Sequence, residues 1–229
     1  MVKAIAFDMD GLMFDTEALM MKAWHIVGQK AGYEIPPRVV TKTVGLNAET
    51  TRLIFLAEYG PDFDYTGLRN QRIAWVEAYI RQNGIPVKPG LPELLQYLKD
   101  TGILFTVTTS SSQSRTEYNL KTAGLLSYFT EPLVCNDAVK NGKPAPDIYE
   151  KAAEVMGVSA ADCLALEDSP MGILSAFRAG MKPVMIPDLV QPDAETQRLL
   201  YRQFSSLFEV IPFLQEERLR TKHKERLFL

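Results

Sequence analysis

Five short β-rich runs punctuate the chain, at Ala4 to Phe7, Leu104 to Thr108, Pro132 to Cys135, Cys163 to Leu166 and Val184 to Ile186. Between the later runs the apolar spacing turns helical and the ends are well marked. Pro92 to Lys99 places Leu94, Leu95 and Leu98 on one face and stops at Gly102. Ser114 and Glu117 have the spacing of a capping box ahead of a helix that stops at Gly124. After the fourth run, Ser169 and Pro170 read as N-cap and first helical residue, with Gly180 as the stop. Strand and helix in alternation predict an α/β fold built on a doubly wound parallel sheet.

Residues 16 to 86 break this rhythm. Ala23, Val27 and Ala31, then Ile54, Phe55, Leu56 and Tyr59, then Ile73, Val76 and Ile80 repeat at helical spacing, and β-type runs are nearly absent. A small all-helical unit inserted after the first strand is expected there. Gly84-Ile85-Pro86 and Lys88-Pro89-Gly90 mark the return to the sheet, close in space to Asp15. The expected division is a sheet domain of residues 1–15 and 87–229 and a helical cap of residues 16–86.

The chemistry gathers where the runs end. The first ends in Asp8, with Asp10 two residues on and then Gly11; side chains alternate along a strand, so both carboxylates should leave it on one side. Crowded anions of this kind need a shared proton or a cation. The second run ends in Thr108-Thr109-Ser110-Ser111, the third leads to Lys143-Pro144, and the fourth ends in Glu167-Asp168-Ser169. In open α/β sheets the ligand lies outside the carboxyl ends of the strands. Taken singly, Thr109 reads as a helix cap, Lys143 as a solvated charge and Glu167-Asp168 as a helix-start pair. Together, three acids, a hydroxyl and an ammonium group at one face describe a Mg²⁺ and phosphate site.

Composition narrows the partners. Of 229 residues, 46% are hydrophobic and 23% charged, which suits one soluble α/β domain or two smaller ones. A net charge of -3 supplies no basic field to gather nucleic acid or an anionic membrane. No apolar run is long enough to span a bilayer and no signal core opens the chain, so the cytoplasm is the expected compartment. Cys135 and Cys163 sit in apolar runs and read as small buried hydrophobes. His25 and His223 are too few and too scattered for a zinc site.

DMDGLMFDT, VTTSSS, KPAPDIY and ALEDSPMGILSAFRAG, in that order over nearly the whole chain, resemble the four motifs of the haloacid dehalogenase superfamily. The helical insert resembles the capped group that includes β-phosphoglucomutase, sugar-phosphate phosphatases and pseudouridine-5'-phosphatase. The resemblance implies a Rossmann-like core with a cap of four or five helices, Mg²⁺, and phosphoryl transfer through an aspartyl phosphate. It makes Asp8 the nucleophile and Asp10 the general acid and base. It assigns the metal to Asp8, the Asp10 carbonyl and Asp168, with Glu167 contributing directly or through a water. Thr109, Ser110 and Lys143 then bind the phosphoryl group.

Substrate choice falls to the cap. Candidate contacts are Glu17 and Met20, the turn Gly45-Leu46-Asn47-Ala48, and Gln71 or Arg72; Asn47 also reads as the N-cap of the helix beginning AETT. The β-phosphoglucomutases carry a His, an Arg and a Lys where an ungapped comparison places Met20, Ala48 and Gln71. A small phosphomonoester and hydrolysis are therefore expected, with a phosphosugar mutase as the alternative. A phospho-signalling receiver and a non-catalytic binding protein fit less well, because Asp8, Asp10, Lys143 and a cap are all present. The mildly basic tail ERLRTKHKERLFL reads as a solvated or frayed helix, or as a subunit contact, in a monomer or weak dimer.

Overall fold

A computed structural model describes residues 2–44 and 48–227, with the backbone alone described at 48 and 221–227. Among these residues six parallel strands form one sheet in the order β3-β2-β1-β4-β5-β6. They are β1 (Ala4–Phe7), β2 (Leu104–Thr109), β3 (Val134–Cys135), β4 (Cys163–Glu167), β5 (Lys182–Met185) and β6 (Arg202–Gln203). The first strand lies between the second and fourth, with Ala4 opposite Leu104 and Cys163. Strand order reverses beside it, which is where a doubly wound sheet opens a crevice for ligand.

The expected α/β architecture is present, with differences at the margins. The last strand, β6, follows no apolar pattern because it is a two-residue exposed edge. The β3 strand begins two residues later than Pro132 and β5 two residues earlier than Val184.

Side chains of the central strands divide by size. Ile5, Phe7, Leu164 and Leu166 face one layer, with α5 (Leu91–Thr101) and α10 (Val210–Leu227). Ala4, Ala6, Cys163 and Ala165 face the other, with α7 (Asp147–Met156) and α8 (Pro170–Arg178). Alternation of faces along a strand separates the two sets. Both cysteines are free and buried, as expected.

Helix α6 (Gln113–Thr122) corrects the capping-box reading. Its N-cap is Ser112, not Ser114, because the Asp137 carboxylate accepts from the Gln113 N–H at 3.1 Å and fixes the first turn two residues earlier than Ser114 would. The Ser112 and Ser114 hydroxyls meet each other at 3.3 Å. Helix α8 starts as expected, with the Ser169 hydroxyl accepting from the Gly172 N–H. Helix α9 (Ala194–Leu199) precedes β6. The basic tail continues α10 as helix to Leu227, with Leu219 exposed.

Between β1 and α5 the chain forms α1 (Thr16–Lys30), α2 (Pro37–Thr41), α3 (Ala48–Tyr59) and α4 (Tyr65–Asn83). These helices carry a core of their own around Trp24, Phe55, Phe63 and Tyr65. The Phe55 ring centre lies 4.5 Å from Trp24 and 5.3 Å from Tyr65. Where the chain leaves β1 and where it returns, the segments run side by side. The Asp15 N–H donates to the Pro86 carbonyl at 2.9 Å and the Lys88 N–H to that of Met13 at 2.9 Å. The Lys88 ammonium then bridges Asp15 at 3.0 Å and Asp188 at 2.7 Å.

Phe55 is fully buried, so Phe55→Ala removes the centre of the helical core. Urea unfolding should show a loss of about 3–5 kcal/mol, and amide exchange should place the loosening in α1 to α4 rather than in the sheet.

Candidate active site

The carboxyl ends of β1, β2 and β4 converge on a cavity of about 740 Å³. Asp8, Asp10, Thr109, Ser110, Lys143 and Asp168 all line it, so residues far apart in sequence share one wall. The Lys143 ammonium is its anchor. It donates to Asp8 at 2.6 Å, to Glu167 at 2.5 Å and to the Thr108 carbonyl at 3.2 Å, which uses all three of its hydrogens. Burial alone would push this ammonium toward neutrality, but Asp8 and Glu167 beside it hold its pKa well above the ordinary lysine value.

Glu167 is fully buried and saturated by donors. One oxygen accepts from Lys143 and from the Tyr149 hydroxyl at 2.6 Å; the other accepts from the Ser169 N–H and hydroxyl. Gly172 is obligatory beneath it, since a Cβ there would run into the Glu167 carboxylate. Asp168, by contrast, accepts no hydrogen bond among the described residues although it is buried. Burial and the neighbouring Asp8 and Glu167 charges push its pKa well up. The Asp8 pKa is also raised, chiefly by burial, with Glu167 and Asp10 adding to it against the pull of Lys143.

Oxygens of Asp8, Glu167 and Asp168 lie within 4.8 Å of one another. Three hard oxygen donors of like charge, one without a protein donor, fit a small divalent cation. Gly11 shapes this corner. With φ at +92° it turns the chain, and a Cβ there would strike the Asp168 carboxylate.

Asp10 lines the same cavity as Asp8 and its charge adds to the rise in the Asp8 pKa, while the tight carboxylate cluster joins Asp8 to Glu167 and Asp168. The two Asp10 oxygens accept from the Thr16 hydroxyl at 2.7 Å and the Ser111 hydroxyl at 3.0 Å. Thr109 is buried, and its hydroxyl oxygen accepts from the Ser111 N–H at 3.0 Å, which leaves its own proton to give away. Ser110 is exposed at the cavity wall.

The sequence gives Thr16, Ser111 and Tyr149 no role at the site and Ser169 only that of a helix cap, although Ser111 and Ser169 adjoin assigned residues. Tyr149 falls within the apolar helical pattern of α7 and gives no separate signal.

Of the cap candidates, Glu17 and Met20 line the cavity. Burial, with Asp10 and Asp188 nearby, raises Glu17 to a pKa of about 7 against the pull of Arg72 and Arg115. Gln71 is exposed and lines neither this cavity nor its neighbours. The Arg72 guanidinium lies over the Trp24 ring at 5.2 Å and reaches two adjoining cavities rather than this one. Gly45, Leu46 and Asn47 lie outside the described residues, as does the Ala48 side chain.

Residues 5–186 match the family of haloacid dehalogenase-like hydrolases. The chain belongs to that family. It is 36% identical to a Drosophila melanogaster protein named "Probable pseudouridine-5'-phosphatase", over 80% of each chain. It is 32% identical to hexitol phosphatase A of Escherichia coli (strain K12), over 86% of this chain and 87% of the relative. A solved HAD family hydrolase from Deinococcus radiodurans R1, with bound phosphate and sodium, superposes with a TM-score of 0.77. It shows 25% identity over 94% of this chain and 96% of its own. Among the described residues no helix is long and apolar enough to cross a membrane.

The raised acids make a test of the cation site. Without a cation, Asp8 and Asp168 favour the folded state below the unfolded carboxylate range, and that contribution is lost as pH climbs through their raised folded values. A bound cation reverses the trend. Mg²⁺ at about a hundred times its Kd should add about 2.7 kcal/mol. Thermal unfolding should show Tm rising by several degrees at pH 7.5 and by clearly less at pH 5.

Proposed function

We propose that this hydrolase is a Mg²⁺-dependent phosphatase that cleaves a small phosphomonoester, a sugar or nucleoside phosphate, through an aspartyl-phosphate intermediate. The observation that carries this reading is the placement of Lys143 between Asp8 and Glu167 beside an Asp168 that no donor reaches among the described residues. We also take residues 1–15 and 87–229 as the sheet domain and 16–86 as a cap. The cytoplasm is the proposed compartment, in keeping with two unpaired buried cysteines.

Asp8 supplies the nucleophile. Lys143 holds one of its oxygens, so the other is oriented for in-line attack on phosphorus. As the Asp8–phosphorus bond forms, the bond to the leaving oxygen breaks, and Asp10 gives that oxygen its proton. Asp10, held by Thr16 and Ser111, then takes a proton from water. The water oxygen bonds to phosphorus, the Asp8–phosphorus bond breaks, and phosphate leaves with Asp8 restored.

The Thr109 hydroxyl and the Ser110 N–H are the donors for the phosphoryl oxygens. Asp8, Asp168 and the Asp10 carbonyl would hold Mg²⁺, which neutralises phosphoryl charge when bound. Glu167 acts through Lys143, because its oxygens are already occupied. Four helices over the strand ends exclude water and select the alcohol. The names of the relatives, a hexitol phosphatase and a pseudouridine phosphatase, support a polyol or nucleoside phosphate. Met20 places an apolar group, not a cation, at the cavity wall, which favours hydrolysis over a mutase that grips a second phosphate.

Asp8→Asn keeps the shape and removes the nucleophile. Turnover of an aryl phosphate should fall by at least roughly a thousandfold with Tm retained; activity within tenfold of the parent would remove Asp8 from the role. A panel of metabolite phosphates, scored separately for free phosphate and for phosphate migration, should give free phosphate. Conversion of β-glucose 1-phosphate to the 6-phosphate with little release would establish the mutase instead.

A further inference from the structure

A second cavity, of about 510 Å³, opens between α4 and α6 and meets the catalytic one only at Met20. Its chemistry is of opposite sign. The catalytic cavity sets Asp8, Asp10, Glu17 and Asp168 against one cation, Lys143, whereas this one carries Arg72, Arg81 and Arg115 against a single carboxylate, Glu77. Among the described residues none of the three arginines lies within ion-pair distance of an acid.

Two further observations point the same way. Arg72 Nε and Asn119 Nδ2 are buried donors with no hydrogen-bond partner among the described residues, and both residues line this cavity. Asn119 is only 2% exposed, so open solvent does not serve it. A buried donor left unmatched is unfavourable, so both side chains gain from a shift that brings an acceptor within reach. The first turn of α6 is also uncapped by its own side chain: Asp137 takes the Gln113 N–H, and the hydroxyls of Ser112 and Ser114 pair with each other. Val76 and Ile80 from α4 and the half-exposed Tyr118 ring from α6 add apolar surface on both sides.

We propose that this seam is a second binding site, for a small organic anion with an aromatic or aliphatic body. The arginines and the Asn119 amide receive the anionic group, and Val76, Ile80 and Tyr118 receive the body. The volume lies within the roughly 300–1,000 Å³ typical of small-molecule sites. One wall is α4, from the helices inserted after β1, and the other is α6, which packs on the sheet strand β3. A ligand that touches both holds the two in one relation, so its binding is coupled to turnover in the adjoining cavity.

The test uses the full chain with Mg²⁺ and saturating inorganic phosphate, which occupies the catalytic cavity. 8-Anilinonaphthalene-1-sulfonate is the probe, an aromatic anion that is not a phosphoryl donor. Its fluorescence should saturate at one equivalent. Arg81→Glu and Arg115→Glu should each weaken it about tenfold or more, while kcat/KM for an aryl phosphate measured without probe stays within about twofold of the parent. Arg81 is exposed, so its reversal spares the core, and Tyr118→Ala provides a third variant that leaves charge unchanged and should also weaken binding. Probe should change kcat/KM in the parent and not in Arg115→Glu. Displacement by phosphate, affinity indifferent to all three substitutions, absence of saturable binding, or a parent kcat/KM unmoved at saturation would overturn the proposal.

Discussion

A buried ammonium ion between two buried carboxylates is the constraint on which the site depends. Asp8 follows β1 and Glu167 ends β4, and adjacent parallel strands bring these residues within reach of one lysine side chain. Removing Lys143 would leave both acids uncompensated, a change that costs about 3–5 kcal/mol when one partner of a buried pair is lost. An ion triad of this kind is weak evidence for stability, since apolar packing could fill the same volume. Its value lies in orientation. Tyr149 and Ser169 fix Glu167, Glu167 fixes Lys143, and Lys143 fixes Asp8.

Much of this was legible in the sequence because the strands announce themselves and each reactive residue follows one. Ala4 to Phe7 is bounded as read, and the residue after it is Asp8. The family resemblance supplied roles that spacing alone could not. What escaped was whatever depends on a partner distant in the chain. Asp137 sets the start of α6 from across a loop, and no local pattern announces it. The hydroxyl partners of Asp10, Thr16 and Ser111, follow from no local pattern either. Tyr149 looked like core, and it is core, with a hydroxyl that happens to reach Glu167. The exposed edge strand β6 has no apolar residue to reveal it.

Charge is sorted across the molecule on a short length scale. Acids collect at the strand ends, guanidinium groups collect between α4 and α6, and Met20 stands where the two meet. Glu17 feels both sides: Asp10 and Asp188 raise its pKa while Arg72 and Arg115 lower it. Burial remains the largest influence on its ionisation, and the charges on the two sides add smaller, opposing ones.

The paired segments that leave β1 and return to α5 carry one more consequence. Met13 and Asp15 bond to Lys88 and Pro86, so the two ends of the inserted helices sit beside each other at the sheet's margin. The strands close their ladder without regard to what those ends enclose. Helices α1 to α4 bring an aromatic core of their own, and so resemble a cartridge held in a socket. A different helical unit joined between Asp15 and Pro86 would leave the pairing of β1 with β2 and β4 intact.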